Sequence, residues 1–402
     1  MKIAIVVHGR FHAFDLTREL LKRRHEVTLF TNYPKWEVKR FGIPYDRTCS
    51  FWQHSVLFRI FWFLHEKVGF PFPEPFLHKM FGRWAANQIR KESWDIVLCW
   101  SGIGEETFHA LNGARTLKIC HRSSSHIRVQ ARILKMEQIR TGISLEMPNS
   151  CMVAREEREY DLANMILVPS TFVKQTFLTE GILSEKIWTI PLGVNTKAFH
   201  PTQTVIENRC ARILSGNPLQ VLNVGTFSLR KGMWDMGEVI KGLNSDNFRF
   251  RFIGPIASEA STLIPSLCSR ADFLPKQPQE KLSMHYEWGD VFMLPTIEDG
   301  FPMVLPQAAA ASLPILTTPN GAGTDLIQEG NTGWVLPIRS PEAFIERLRW
   351  CDTHRTELAQ MVQRIYEEFR PRDWSEVAKD FESICEKLVK NKNQERLRDG
   401  IG

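Results

Sequence analysis

The residues best suited to chemistry lie between 295 and 333, in PTIEDGFPMVLPQAAAASLPILTTPNGAGTDLIQEGNTG. Glu298, Asp299, Gly300 and Phe301 make an acidic, glycine-containing turn. The apolar run 291–294 predicts a strand before it, and the Ala-rich run from about 303 predicts a helix after it. A second apolar strand at 314–317 leads into a Gly-rich loop. Such a turn sets a carboxylate and free backbone N–H groups at a helix N-terminus, which suits a ligand bearing both phosphate and hydroxyl groups. A second candidate is the run from Gly225 to Gly232, GTFSLRKG, which follows the strand VLNV. There Arg230 offers a fork matched to phosphate oxygens and Lys231 a point charge. The plainer reading of that run is a solvated basic loop.

The acidic turn resembles the donor-sugar signature of family 4 glycosyltransferases of the GT-B fold: a Glu, then Gly-Phe-Gly, four residues, a second Glu and an Ala. Here Asp299, Gly300, Phe301 and Pro302 lead to Gln307 and Ala308. The first acid is one methylene shorter, Pro302 lacks the N–H a Gly would offer, and the second acid is an amide that still hydrogen-bonds. The resemblance implies that Asp299, with Glu298 beside it, contacts donor-sugar hydroxyls and that Gln307 contacts the ribose. Gly300, Phe301, Met303 and Val304 complete that donor turn. In the family an Arg follows the Gly of the basic loop directly and a Lys stands five residues later. Thr226 occupies the Arg position beside Gly225, and Lys231 the Lys position. The resemblance therefore implies that Arg230 and Lys231 share the donor diphosphate and, with Asp299, carry catalysis.

The first half holds the acceptor-side candidates. Gly9 ends the first strand in VVHGRFH, where only Gly lets the backbone approach a phosphate closely. The family's first Gly-rich loop directs an N–H toward the pyrophosphate, and Arg10 and His12 share that loop. A strand-end turn is the alternative for a single Gly. HRSSSHIRVQ, after the strand TLKIC, resembles the Arg-Gly-Ser-Ser-His stretch of one branch of the family, with Ser123 in place of the Gly. Strand-end residues of a parallel sheet face the crevice, so His121, Arg122 and His126 are candidates to line it. The resemblance favours His126 as the His near the transferred sugar, and so as a further catalytic residue, with His121 second; a helix cap or a surface His is the alternative for each. EEREYDLANMILVPS matches a further family segment through Glu159 and Ser170, read as structural.

The elements that must position these residues alternate strand and helix along the whole chain, which argues for parallel α/β architecture. The strand KIAIVVHG, an amphipathic helix at 15–24 and the strand EVTLFT open the chain. Apolar strands at 94–100, 116–120 and 164–170 follow. KIWTIPLGVNTKAFHP resembles the family's interdomain passage through Pro191, Gly193, Val194, Asn195, Phe199 and Pro201. The pattern then restarts with LQVLNVG, a helix at 233–243, FRFRFIG, ADFLPK and VFMLP. The fold expected is α/β, GT-B: two facing Rossmann-like domains with a C-terminal helix crossing back to the first. An acceptor domain spans 1–195, a nucleotide-sugar donor domain 196–372, and the crossing helix about 373–390, with a frayed polar tail beyond.

A chain of 402 residues can build two full cores. Eight scattered cysteines without a C-x-x-C favour reduced thiols over disulfides or a zinc site. The apolar run at the N-terminus is too short for a signal core, and Arg59 interrupts the most apolar internal segment, so no membrane span is expected. Residues 1–200 carry 28 Lys and Arg against 19 Asp and Glu, and the rest 23 against 26, which points to an anionic partner for the front half or to drift in surface charge. Residues 51–84 hold eleven aromatics with basic residues at 59, 67, 79 and 83. That stretch either lies in a membrane interface or supplies buried core helices.

The expected function is transfer of a sugar from a nucleotide diphosphate sugar, a UDP- or GDP-sugar, to a hydroxyl of a glycan or lipid-linked glycan. The resemblance implies retention and no metal or other cofactor, and the chain holds no Asp-x-Asp. The expected place is the cytoplasm, with peripheral contact at the inner membrane face, and nucleic acid is not an expected partner. The alternatives are a non-catalytic GT-B protein that binds a glycan or nucleotide, or a nucleotide-sugar epimerase. A dehydrogenase is disfavoured because no G-x-G-x-x-G opens either half.

Overall fold

The computed structural model describes residues 1–243 and 246–398, and the side chains of all of these but 279 and 391–398. Near-continuous apolar runs form the strands, as expected where helices cover both faces of a parallel sheet. In the first half these are β1 (Lys2–Val7), β2 (Glu26–Thr31), β3 (Thr48–Ser50), β4 (Ile96–Trp100), β5 (Leu117–His121), β6 (Met165–Val168) and β7 (Ile187–Thr189). They pair in parallel in the order β3-β2-β1-β4-β5-β6-β7.

The second sheet contains β8 (Leu219–Val224), β9 (Phe248–Ile253), β10 (Ala271–Leu274), β11 (Val291–Leu294), β12 (Ile315–Thr317) and β13 (Gly333–Val335), in the order β10-β9-β8-β11-β12-β13. β3 and β13, three residues each at sheet edges, are too short for a period to declare them.

In both sheets the strand order reverses at the first strand, so the crevice lies outside the C-terminal ends of β1 and β4 and of β8 and β11. Gly9 and Gly225 follow β1 and β8, and the acidic turn follows β11. The motifs therefore sit where an open α/β sheet binds its ligands.

Two chain crossings run side by side. Val194 N donates to Arg372 O at 2.8 Å, and a Cβ at 193 would overlap the Asp373 backbone. The helix Thr196–Phe199 packs on the second-half helices Gln279–Trp288 and Val304–Ala310. The last helix, Trp374–Arg398, returns to pack on Ala13–Lys22 of the first half. There Glu382 accepts from Arg23 Nε and meets His25 Nε2, each at 2.8 Å. This helix runs eight residues past the expected end at 390, and residues 399–402 of the expected frayed tail lie outside the described residues.

The aromatic stretch splits into two helices with different surroundings. Glu74–Ile89 buries Leu77, Phe81, Ala85, Ala86 and Ile89. Trp52–Val68 buries only His54 and leaves Trp52, Val56, Ile60 and Phe63 about half exposed or more. The core reading holds for the second helix and fails for the first. Among the described residues no helix is long and apolar enough to cross a membrane.

Candidate active site

A cleft of about 1300 Å³ opens between the two sheets. Its first-half wall includes Arg10, Phe11, His12, Ser123 and Ser124. Its second-half wall includes Asp299, Phe301, Met303 and Gln307. Gln307 holds its side chain through Tyr286, whose hydroxyl donates to Oε1 at 2.9 Å. Asp299 is fixed through its N–H, which donates to Asn320 O at 3.0 Å. Lys197 and Lys276 line the same cleft, though neither stands at a family-like position in the sequence.

Arg230 and Lys231 sit on a short 3-10 turn that presses against the acidic turn: the N–H of Ile297 donates to Arg230 O at 3.0 Å. Their charged ends meet carboxylates. Lys231 Nζ is ion-paired with Asp299, and Arg230 Nε donates to Glu298 Oε2 at 2.6 Å. Gly225 and the exposed Thr226 lie at the start of that loop, and Gly225 N donates to Ile253 O at 2.9 Å.

Glu298 does not swing toward a sugar. It is fully buried, and its oxygens accept from Ser125 N (3.0 Å), Ser125 Oγ (2.7 Å) and Gln130 Nε2 (3.1 Å) of the first half. Burial would raise this carboxyl, but Arg230, then Ser125 and Gln130, hold it down at about 2. Arg230 Nη2 also donates to Ser124 Oγ at 2.9 Å. The loop after β5 and the acidic turn are thus stitched together.

Gly300 completes the seam. A Cβ there would overlap the Ser123 carbonyl oxygen, so only Gly permits the approach. Its own carbonyl accepts from Ser170 Oγ at 2.7 Å, while Ser170 also caps the helix Thr171–Thr179. Val304 opens the seven-residue helix behind this turn and is half-buried.

The first-half histidines occupy two other environments. His126 caps the helix Ile127–Thr141, its Nδ1 accepting from Arg128 N at 3.3 Å, and its ring packs between Tyr160 and Phe177 at 5.1 and 4.9 Å. It is buried and lines neither the main cleft nor the one beside Gly9, so the cap reading replaces the catalytic one. Burial brings its pKa to about 4.

His121 and His12 hydrogen-bond each other through Nε2 at 2.6 Å beneath Trp100 and the crossing-helix residue Trp374. Burial lowers His12 to about 3 and His121 well below its ordinary value, so both are neutral near pH 7. His12 reaches the main cleft; His121 faces the small void under Trp374 instead.

Arg122 is a scaffold residue. Its guanidinium donates to Ser125 O at 3.0 Å, Glu156 at 2.8 Å and Gln130 at 2.8 Å. The N–H of Gly9, at φ 98°, donates to Asn32 Oδ1 at 2.9 Å and is not free for a phosphate in this arrangement. Arg10 lies over the Phe41 ring at 4.1 Å. Glu159 accepts from the N–H groups of Gly102, Gly104 and Glu105 at 2.6–3.1 Å, which makes it the anchor of the loop after β4. Among the described residues no three His, Cys, Asp or Glu side chains converge as a metal ion would need.

Comparison with known proteins agrees with this geometry. Residues 10–198 match the model of Glycosyltransferase Family 4, and residues 218–352 that of Glycosyl transferases group 1. The sulfoquinovosyl transferase SQD2 of Arabidopsis thaliana is 26% identical over 221 residues, 53% of this chain and 42% of that protein. The amylovoran biosynthesis glycosyltransferase AmsK of Erwinia amylovora is 21% identical over 231 residues, 54% of this chain and 55% of that one. The chain matches about half the length of these curated relatives. The crystal structure of Anabaena Alr3699/HepE in complex with UDP and glucose superposes with a TM-score of 0.68 over 96% of this chain and 100% of that one, at 11% identity. Sucrose-phosphate synthase from Thermosynechococcus elongatus gives 0.66 over 97% of this chain and 100% of that one, at 15% identity, a likeness of fold. On its two family matches and its two facing parallel-sheet domains, the chain belongs to the family 4 glycosyltransferases of the GT-B fold.

Proposed function

We propose that this chain transfers a sugar from a UDP- or GDP-sugar to a hydroxyl of a glycan or lipid-linked glycan, with retention and without a metal ion. The observation that carries the proposal is the meeting of two switch-point walls across one cleft: Arg10, His12 and Ser124 on one side, Asp299, Met303 and Gln307 on the other. Departure of the nucleotide diphosphate leaves negative charge that fixed cations stabilise, and one such group is worth about 100- to 1000-fold in rate. Lys231 and Arg230 are the cations at the acidic turn. Asp299 is the carboxylate at hand for donor-sugar hydroxyls, and Gln307 the amide for the ribose.

The same proposal places the protein against an anionic membrane. Its support is the exposed apolar side of Trp52–Val68, with Arg59 and Lys67 on that helix and Lys79 and Arg83 on the next.

One observation favours a second reading. Both cations of the basic loop are paired with carboxylates, as in a protein that binds a nucleotide or glycan without turning it over. Nucleotide release from UDP-, GDP-, ADP- and dTDP-sugars, with and without EDTA and with glycan acceptors added, separates the two. EDTA-insensitive release from one donor is the expected result. Nucleotide binding with no release under any acceptor would favour the second reading, and an inverted anomer in the product would remove retention.

A further inference from the structure

Arg230 and Lys231 ride on a single 3-10 turn, Leu229–Lys231. So short an element is held by what it packs against rather than by its own hydrogen bonds. Much of its packing comes from the other half. Leu229 is fully buried in a small apolar cluster with Leu134 and Leu145 of the first half, and Trp234 and Leu263 of the second half pack on that cluster. Leu134 lies on the helix Ile127–Thr141, and Leu145 follows it, its N–H donating to Gln138 Oε1 at 3.2 Å.

The helix Met233–Gly242 follows the two cations, and its Asp235 meets the same first-half helix: Arg140 Nη1 donates to Asp235 Oδ1 at 2.6 Å. Arg140 Nε also donates to Glu137 Oε2 at 3.1 Å, and that same oxygen accepts from Arg339 Nε of the second half at 3.0 Å. Arg339 Nη2 reaches Ile133 O at 3.3 Å. Glu137 and Asp235 are both buried. Arg339 holds a left-handed backbone, φ 58°, which is disfavoured for a residue with a Cβ, so its fork rather than its backbone accounts for an Arg there.

Leu229 and Asp235 thus bracket both cations, and both brackets close on one helix of the first half. Leu134, Glu137, Asp235 and Arg339 do not line the main cleft, so they act on a bound donor only through the turn. Buried ion pairs add little net stability over apolar packing, so four charges joined between the domains are read as fixing a register. A reacting group displaced by about 1 Å loses about 100-fold in rate.

We propose that Leu134 and Arg339 are positioning residues: with Glu137 and Asp235 they seat the turn that carries Arg230 and Lys231, and the cations face the donor diphosphate only while the helix Ile127–Thr141 is docked on them. The inference rests on the transferase reading and adds residues outside the cleft on which the rate depends.

Steady-state nucleotide release by the full chain tests it, with UDP-glucose, UDP-galactose, GDP-mannose and ADP-glucose as donors and methyl glycosides of glucose and galactose as acceptors. Arg339→Asn tolerates the left-handed backbone, is too short to reach Glu137 and leaves Glu137 paired with Arg140. Leu134→Ala empties the place beside Leu229, and Leu134→Met refills it. Arg339→Asn and Leu134→Ala should each lower kcat about tenfold or more, with the donor KM within about threefold and the circular dichroism native. Leu134→Met should restore at least about half of the wild-type kcat. In a Lys231→Ala background the same two substitutions should lower kcat less than about threefold, because one of the groups they position is gone. A merely structural role would give the same factor in both backgrounds. Should Leu134→Ala fail to fold, Arg339→Asn decides alone. A kcat within twofold of wild type, a change in KM only, or losses that multiply with Lys231→Ala would overturn the seat and leave the transferase reading standing. No release from any donor by the wild type would overturn both.

Discussion

Arg230 and Glu298 lie 68 residues apart and form a 2.6 Å hydrogen-bonded ion pair whose other side-chain hydrogen bonds, among the described residues, reach the first domain. Glu298 collects Ser125 and Gln130, and Arg230 collects Ser124. The charge pair is thus both a pair and a clamp. Removing one member of a buried pair costs about 3–5 kcal/mol because the other charge is stranded. Arg230 keeps about a third of its side chain exposed, so Glu298→Ala should cost less, about 2–3 kcal/mol, read as a fall in the thermal midpoint. Glu298→Gln should recover part of that loss, because its amide oxygen still accepts from Ser125. A midpoint unchanged in both variants would mean the domains are held elsewhere.

Lys231→Ala and Asp299→Ala should each lower donor turnover by about 100-fold while leaving the fold intact, since each removes one charged group at the turn. Because the two side chains are ion-paired, their effects should not add, and the double variant should lose little more than either single one. Steady-state nucleotide release measures this. Turnover equal to wild type in Asp299→Ala would remove that residue from the site.

Stability should fall in acid in two steps. The folded chain holds His126 at about 4 and His12 at about 3, whereas in the unfolded chain a His titrates near 6.5. The unfolded state therefore binds more protons below pH 6.5, and stability complete above that pH declines toward pH 4, by about 3 kcal/mol from His126 alone. Glu298, held at about 2, adds a second loss only between about pH 4.5 and 2, as the unfolded carboxyl protonates first. His126→Asn keeps a capping group and should reduce the first step by the His126 share, leaving that of His12. Denaturation midpoints from pH 8 to 3 would reveal a single acid step if the histidines play no part.

Trp52, Ile60 and Phe63 face outward from one helix with Arg59 and Lys67 beside them. The protein should sediment with vesicles containing anionic lipid, less so at high salt, and Ile60→Ser with Phe63→Ser should reduce binding about tenfold. Equal binding by wild type and double variant, or none by either, would remove this helix as a membrane contact.

Much of the second half could be read from the residues. The apolar run 291–294 is β11, and Asp299, Phe301, Met303 and Gln307 reach the cleft because a strand, a turn and a helix N-terminus leave them little choice. Glu298 was misread because adjacency on a turn says nothing of partners 168–173 residues away. His126 and His121 resemble each other as letters in one loop. Their difference is made by Thr176 and the rings of Tyr160 and Phe177 around one, and by His12, 109 residues earlier, against the other. Glu137 and Arg339 carry no motif, and only the folding of segments 202 residues apart onto each other joins them.

The hydrogen bond from Val194 to Arg372 means that the second domain leaves and re-enters the first at almost one point. Residues 196–372 are in effect a guest inserted into a host whose first helix, Ala13–Lys22, and last helix, Trp374–Arg398, pack on each other. A segment whose two ends nearly touch can be cut out and resealed at little cost in chain entropy. The second domain is therefore a natural module for exchange between members of the family, with the first domain left whole.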